Sequence, residues 1–342
     1  MPPPDVIPSL PKEEDIIGCN DDQVDEMEAD RDDTDFDIIK ENKNEYKIME
    51  EDEFLAKVQL ATSSQIPLDL TGFQVTLTKG AIRLKGRDHL EIMGGVIQGE
   101  VHSLFQLDGK SVNRPRRLTF RNTTLIHTKV HDDPRQIGAA IFAMGASVAY
   151  LSHCDISSKG GFAIWGKHQC NITLENCNIH NVARTAVACF NQVTVTVRNT
   201  SISHVGIHGV CGRGQVNINL ERVSIEDCLV RAIMIYQGAS VRMEDCNINN
   251  THDATTPTIH AQGPASESSP TLLEDAATEK TTKDGTTPIG NDNQQNQSKE
   301  QQIQVMPIPS LTMIRCKVTN SEGPPLVIEG IIKQELQDIE LS

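Results

Sequence analysis

Five six-residue stretches decide the fold: Leu151-Ser152-His153-Cys154-Asp155-Ile156, Leu174-Glu175-Asn176-Cys177-Asn178-Ile179, Val197-Arg198-Asn199-Thr200-Ser201-Ile202, Leu220-Glu221-Arg222-Val223-Ser224-Ile225 and Met243-Glu244-Asp245-Cys246-Asn247-Ile248. Each begins 23 residues after the one before it. Their first, fourth and sixth positions stay apolar or small. A further column runs at the same step through Ile164, Val187, Val210 and Ile233, each preceded by Ala or Gly. A fixed period of this length marks a solenoid.

Within one unit the apolar positions alternate by two, as in Val195 and Val197, then Thr200 and Ile202, then Val210 and Gly212. That is the period of a strand. Three short strands per 23-residue rung predict an all-β chain, a right-handed parallel β-helix whose rungs bury a core by stacking. Between the first and fourth positions of each quoted stretch the alternation slips by one residue, so the chain bends sharply there. The residues at that bend are Gly94, Asn122, His153, Asn176, Asn199, Arg222 and Asp245. Gly, Asn and Asp accept the positive φ that such a bend needs. The outward residues Glu175, Arg198 and Glu221 alternate in sign, and rungs ~4.8 Å apart predict that they pair.

Charge and cysteine usage narrow the classes. The net charge of the 342 residues is −16, and aromatics are only 4%. Residues 11–54 hold nineteen acids against five bases, so nearly all of the excess lies there. This balance argues against nucleic-acid and anionic-membrane partners. The first residues lack a basic and then apolar leader pattern, and no run of eighteen apolar residues occurs. The nine cysteines fall mostly on interior columns, which reads as buried thiols in a reducing compartment. The expectation is a monomer located in the cytoplasm or nucleus.

Working outward from the repeats, residues 1–48 read as a disordered acidic tail. Glu50 to Thr62 predicts an N-terminal capping helix with Phe54, Leu55, Val58 and Leu60 on its apolar side. Strands are expected from Ile66, within a β-helix spanning 49–330. One rung has five extra residues between Asp108 and Arg117, and the next has eight between Leu125 and Ile141. Leu311, Met313, Cys316 and Val318 then match Val241, Met243, Cys246 and Ile248 at a shift of 70, which predicts a disordered insert over 250–302 within one rung. Leu326 and Ile328 begin a last strand, and 331–342 read as a C-terminal cap or tail.

Both the eight-residue loop and the long insert are placed at the turn between the second and third strands. That turn gathers His131, His180, Arg184, His204, His208, Glu226, Asp227 and Arg231, the predicted binding surface. Asp132, Asp133 and Asp227 are the catalytic candidates. His180 and His204 sit diagonally on neighbouring rungs with no third ligand at a fixed spacing, so no metal site is expected.

The repeats resemble those of the right-handed β-helix proteins of the pectate-lyase-like superfamily. Cys177-Asn178-Ile179-His180, followed by Ala186-Val187, is similar to the β-helix of F-box substrate receptors and SHC-binding proteins over about Ile66 to Ile328. No F-box-like helical region precedes the repeats, so ubiquitin-ligase assembly does not carry over. The resemblance implies a non-catalytic scaffold that binds a protein or glycan along one face, without a cofactor. The alternative is a polysaccharide lyase or glycoside hydrolase, with calcium implied only for the lyase. Leu151 to Ser157 resembles a pectate-lyase segment but has Ser152 where that family places a calcium-binding Asp. The polygalacturonase Gly-His-Gly is echoed only by Ile207-His208-Gly209. Glycoside hydrolysis needs two carboxyls facing one bond, and the inner rungs offer Asp155, Glu226 and Asp227 without an evident pair.

Overall fold

The computed structural model describes residues 46–85, 88–109, 115–130, 136–250, 256–263, 308–320, 324–329 and 333–341. Most of the acidic segment therefore lies outside the described residues. So do His131, Asp132 and Asp133.

The chain winds into three parallel sheets of ten, eleven and nine strands, made respectively of the first, second and third strands of successive rungs. Every pairing is parallel, and in the regular rungs partners lie 23 residues apart, as in Leu174↔Val197 and Ile179↔Ile202. The columns that the repeat predicted are the core: Leu151, Leu174, Val197, Leu220 and Met243 are fully buried, as are Ile156, Ile179, Ile202, Ile225 and Ile248. Met313 and Val318 continue both columns across the 70-residue step. Stacking aliphatic side chains in register removes each rung's apolar surface from water, at roughly 25 cal/mol per Å².

The corner between first and second strands is a single left-handed residue. Gly94, Asn122, His153, Asn176, Asn199, Arg222 and Asp245 all have φ between 47° and 69°, and the column continues in Arg315 and Asp338. Two further left-handed columns escaped the sequence reading. Gly145, His168, Asn191, Gly214 and Gln237 turn the chain from third to first strand. Asn181, His204 and Asp227 form a bulge inside the second strand, which enters at Asn181, where pairing with Asp155–Ser158 slips by one residue, and is then repeated in register. Along the outer surface, Arg198 bridges Glu175 at 3.3 Å and Glu221 at 3.0 Å, the alternating ladder its spacing predicted.

Glu51–Ser64 is the expected helix, with Phe54, Val58 and Ala61 buried against the first rungs. It stops at Gln65, whose left-handed φ of 56° ends the helix. Glu51 accepts hydrogen bonds from the Thr78 and Lys79 backbone amides, which ties the helix to the second-strand edge. Leu60, expected on the apolar side, is 67% exposed. It lies two positions from Val58, so a 100° turn per residue carries it off that stripe.

Three expectations need correction. Strands begin before the helix, not at Ile66: Lys47–Met49 pairs with Phe73–Leu77 and so falls partly within the proposed tail, while Ile66 is exposed. The stretch assigned to the insert contains the strand Ile259–Gln262, which pairs with Arg231–Tyr236 as the third strand of its rung. The long excursion therefore starts after residue 263, at the third-to-first corner, and not at the corner used by the eight-residue loop. Residues 264–307, including Ile303 and Val305, lie outside the described residues. Finally, Lys333–Gln337 and Glu340–Leu341 add a first and a second strand of one more rung, both exposed.

Candidate functional site

The third strand opens with two inward residues in succession, which resets its outward positions. Ala163 and Ile164 join the main core, and Phe162, Trp165 and Lys167 point away from it. Ala139, Phe162 and Ala188 form a separate apolar cluster, with Ile137, Phe142, Trp165 and Phe190 packed on it. The 23-residue step makes columns of these positions. Phe142, Trp165, Ala188, Cys211, Met234 and His260 follow one another in register. Beside them run Met144, Lys167, Phe190, Arg213, Tyr236 and Gln262.

This face holds five of the chain's twelve aromatic side chains: Phe142, Phe162, Trp165, Phe190 and Tyr236. The Trp165 ring lies 4.7 Å from that of Phe142 and 5.2 Å from that of Phe162, centroid to centroid. The Lys167 ammonium sits 4.3 Å over Trp165, and the Arg213 guanidinium 6.0 Å over Tyr236. Such cation–ring contacts hold long side chains in one rotamer. From Ser103–Gly109 to Ile259–Gln262, the described strands of this sheet carry one carboxylate, Asp108, directed at Arg116 at 3.8 Å. The face is thus cationic and aromatic on a strongly acidic chain.

The predicted binding cluster divides between two sheets. His208 and Arg231 belong to the third-strand face, where they are register partners. The Nδ1 atom of His208 is enclosed without a hydrogen-bond partner. Burial, then the charges of Arg231 and His260, push His208 down to about 3, so its imidazole is neutral near pH 7. Arg184 lies at the second-to-third turn, where its backbone amide bonds Gly161 O at 3.2 Å. The remaining members stand on the second-strand sheet. His180 donates from Nε2 to Asp155 at 3.0 Å, and the Asn178 amide donates to the same oxygen at 2.8 Å. Burial pushes the Asp155 carboxyl up, but the His180 and Asn178 hydrogen bonds and the His180 charge outweigh it and hold the group below the usual range. His204 and Asp227 occupy the bulge and meet at 3.3 Å, with Glu226 exposed beside them. Asp227 is therefore on a different sheet from the aromatic columns. Among the described residues, no three His, Cys, Asp or Glu side chains gather to hold a metal ion.

The sequence reading missed Phe142, Phe162, Trp165, Lys167, Phe190, Arg213 and Tyr236. A usable signal was there. Aromatics are scarce in this chain, yet Phe142 and Trp165, like Lys167 and Phe190, fall one rung apart.

Residues 111–268 match the family described as the right-handed β-helix region. Together with the three parallel sheets, this makes the fold a right-handed parallel β-helix. Solved structures of the periplasmic alginate epimerase AlgG are similar over 86% of this chain and 84% of theirs. A single-substitution variant matches at 9% identity and a TM-score of 0.36, and a double variant at 9% and 0.32. The AlgG structure without a stated substitution matches at 9% and 0.28. No curated protein matches the chain. Against the expected cytoplasmic or nuclear location, these solved structures are of a periplasmic protein.

Proposed function

We propose that the protein is a non-catalytic binding scaffold whose ligand, an extended glycan chain, lies along the outer face of the third-strand sheet. The observation that carries this reading is the outward ladder of the half-buried Phe142, Trp165, Phe190 and Arg213, held in place by the buried Lys167 and Tyr236. Rings that present an apolar body, with hydrogen-bond donors between them, suit the alternating apolar and hydroxyl-bearing surface of a sugar. The rungs repeat every ~4.8 Å, comparable to one sugar ring of an extended chain. Backbone pairing on both sides fixes the ladder, so little order has to be gained on binding. The polysaccharide lyase or hydrolase alternative lacks support from this face. From Ser103–Gly109 to Ile259–Gln262 its described strands hold only Asp108, whereas Asp155 and Asp227 stand with histidines on the second-strand sheet.

Affinity electrophoresis and calorimetry against neutral and acidic polysaccharides test the reading. A bound polysaccharide should lose affinity at least about tenfold on Trp165→Ala or Arg213→Ala, as expected for central anchor residues. A His180→Ala variant should bind as the parent does. Equal affinity in all three variants would remove the third-strand face from consideration. New reducing ends or unsaturated products, with or without calcium, that vanish in Asp227→Ala would establish the enzyme instead.

A further inference from the structure

The eight described cysteines are buried. Four of them occupy one interior column next to the single-residue corner. Cys154 and Cys177 are neighbours on consecutive rungs. Cys246 and Cys316 are neighbours across the long excursion, on rungs joined by Met243↔Met313 and Ile248↔Val318. Thr200 and Val223 separate the two pairs. Within each pair the two thiols stand side by side in the same interior column, one rung apart, as the flanking registers Ser152↔Glu175, Asp155↔Asn178 and Asn247↔Lys317 require. Cys177 also reaches Leu151 O at 3.5 Å, and Cys246 reaches Leu220 O at 3.5 Å, so each side chain leans back toward the preceding rung. Consecutive rungs place the Cα atoms ~4.8 Å apart, inside the span a disulfide bridges.

We infer that Cys154 with Cys177, and Cys246 with Cys316, are two disulfide-forming sites that staple consecutive rungs when the chain folds in a thiol-oxidising medium. The oxidant is a small disulfide such as oxidised glutathione. A thiolate of the pair attacks one of its sulfurs, forming a mixed disulfide and releasing one glutathione thiolate. The second cysteine then attacks the protein sulfur and expels the other. Two S–H bonds are lost and one S–S bond forms. Two protons leave, and the two electrons reduce glutathione disulfide to two thiols. The adjoining Cys246 thiol holds Cys316 down at about 7, which suits it to the first attack. Because all four thiols are buried, the oxidant meets them before the rungs close.

The second pair lies at the joint that most needs a tie. The rungs after the excursion are attached to the preceding ones through a long intervening stretch, and an open loop adds a closure cost that grows with its length. Ion pairs gather at the same place. Arg315 bonds Asp245 at 2.6 Å and Glu244 at 2.8 Å on the outer side of the corner whose inner side holds Cys246 and Cys316.

The full chain, reduced and unfolded in guanidinium, is refolded with reduced glutathione alone or with a mixture of reduced and oxidised glutathione. Free thiols are then alkylated and the peptides mapped by mass spectrometry. In the oxidised arm we expect Cys154–Cys177 and Cys246–Cys316 peptides, and an intact mass about 4 Da lower before alkylation, from four lost hydrogens. Cys316→Ser should lose only the second link. Full alkylation in the oxidised arm, or links joining other cysteines, would overturn the inference. Absence of one link would overturn it for that pair.

Discussion

The tight corner rests on one residue per rung, and the side chain there does more than tolerate φ > 0. Asn199 has φ 47° and its Oδ1 accepts from Arg222 Nε at 2.6 Å, one rung on. Arg315 reaches Asp245 in the same column in the same way. A left-handed L-residue costs roughly 1–2 kcal/mol, and these rung-to-rung bonds offset part of that. His208 is the residue with the clearest pH consequence. Its folded pKa is about 3 against ~6.5 for an exposed histidine. Between those values the unfolded chain binds the extra proton, so stability is full above about pH 6.5 and falls as the solution is acidified. His208→Gln should remove at most about 1.4 kcal/mol per pH unit from the slope of stability against pH between about 4 and 6. Denaturant titrations at several pH values measure that slope, and an unchanged slope would show that His208 is protonated in the folded protein.

At the level of elements, the helix Glu51–Ser64 is what makes the first rungs an end and not an exposed edge. Phe54 is fully buried and Leu60 is two-thirds exposed. Phe54→Ala should therefore cost about 3–5 kcal/mol, and Leu60→Ala within about 0.5 kcal/mol. Guanidinium midpoints read both, and similar costs for the two would mean that the helix does not cover the core. Individual elements also show where sequence reasoning succeeds. The first-to-second corner was legible because the apolar alternation slips there by one residue, onto Asn, Asp or Gly in five of seven rungs. The bulge at Asn181, His204 and Asp227 was not, because an extra residue inside a strand leaves the 23-residue period intact. Ile259–Gln262 was invisible for another reason: four residues set in Thr- and Ser-rich text carry too little alternation to declare a strand. The outward third-strand face was passed over because the columns followed there were the inward ones, through Ile164, Val187, Val210 and Ile233.

The whole molecule is a stack in which each rung touches only its neighbours, so its stability is approximately a sum of rung and interface terms. The rungs after Ser310 are coupled to the rest through three parallel pairings and across 70 residues of sequence. Replacing residues 264–307 by about six Gly and Ser residues should stabilise those rungs by about 2 kcal/mol, from the logarithmic dependence of loop closure on length. Hydrogen exchange of the amides in Ser310–Ile314 and Lys317–Asn320 would report it. Unchanged or faster exchange would mean that the excursion itself supports the rungs it precedes.

The single-residue corner never varies in length. From Gly94 to Asp338 the first and second strands are always joined in the same way. All added sequence leaves from the other two corners, which are the two borders of the nine-stranded sheet. The molecule therefore separates a part that keeps measure from a part open to change. Anyone wishing to build new recognition into it could graft variable segments at 110–114, 131–135 and 264–307 and draw a library around one flat, ring-bearing face. The winding would be left untouched, because it is governed from the opposite corner.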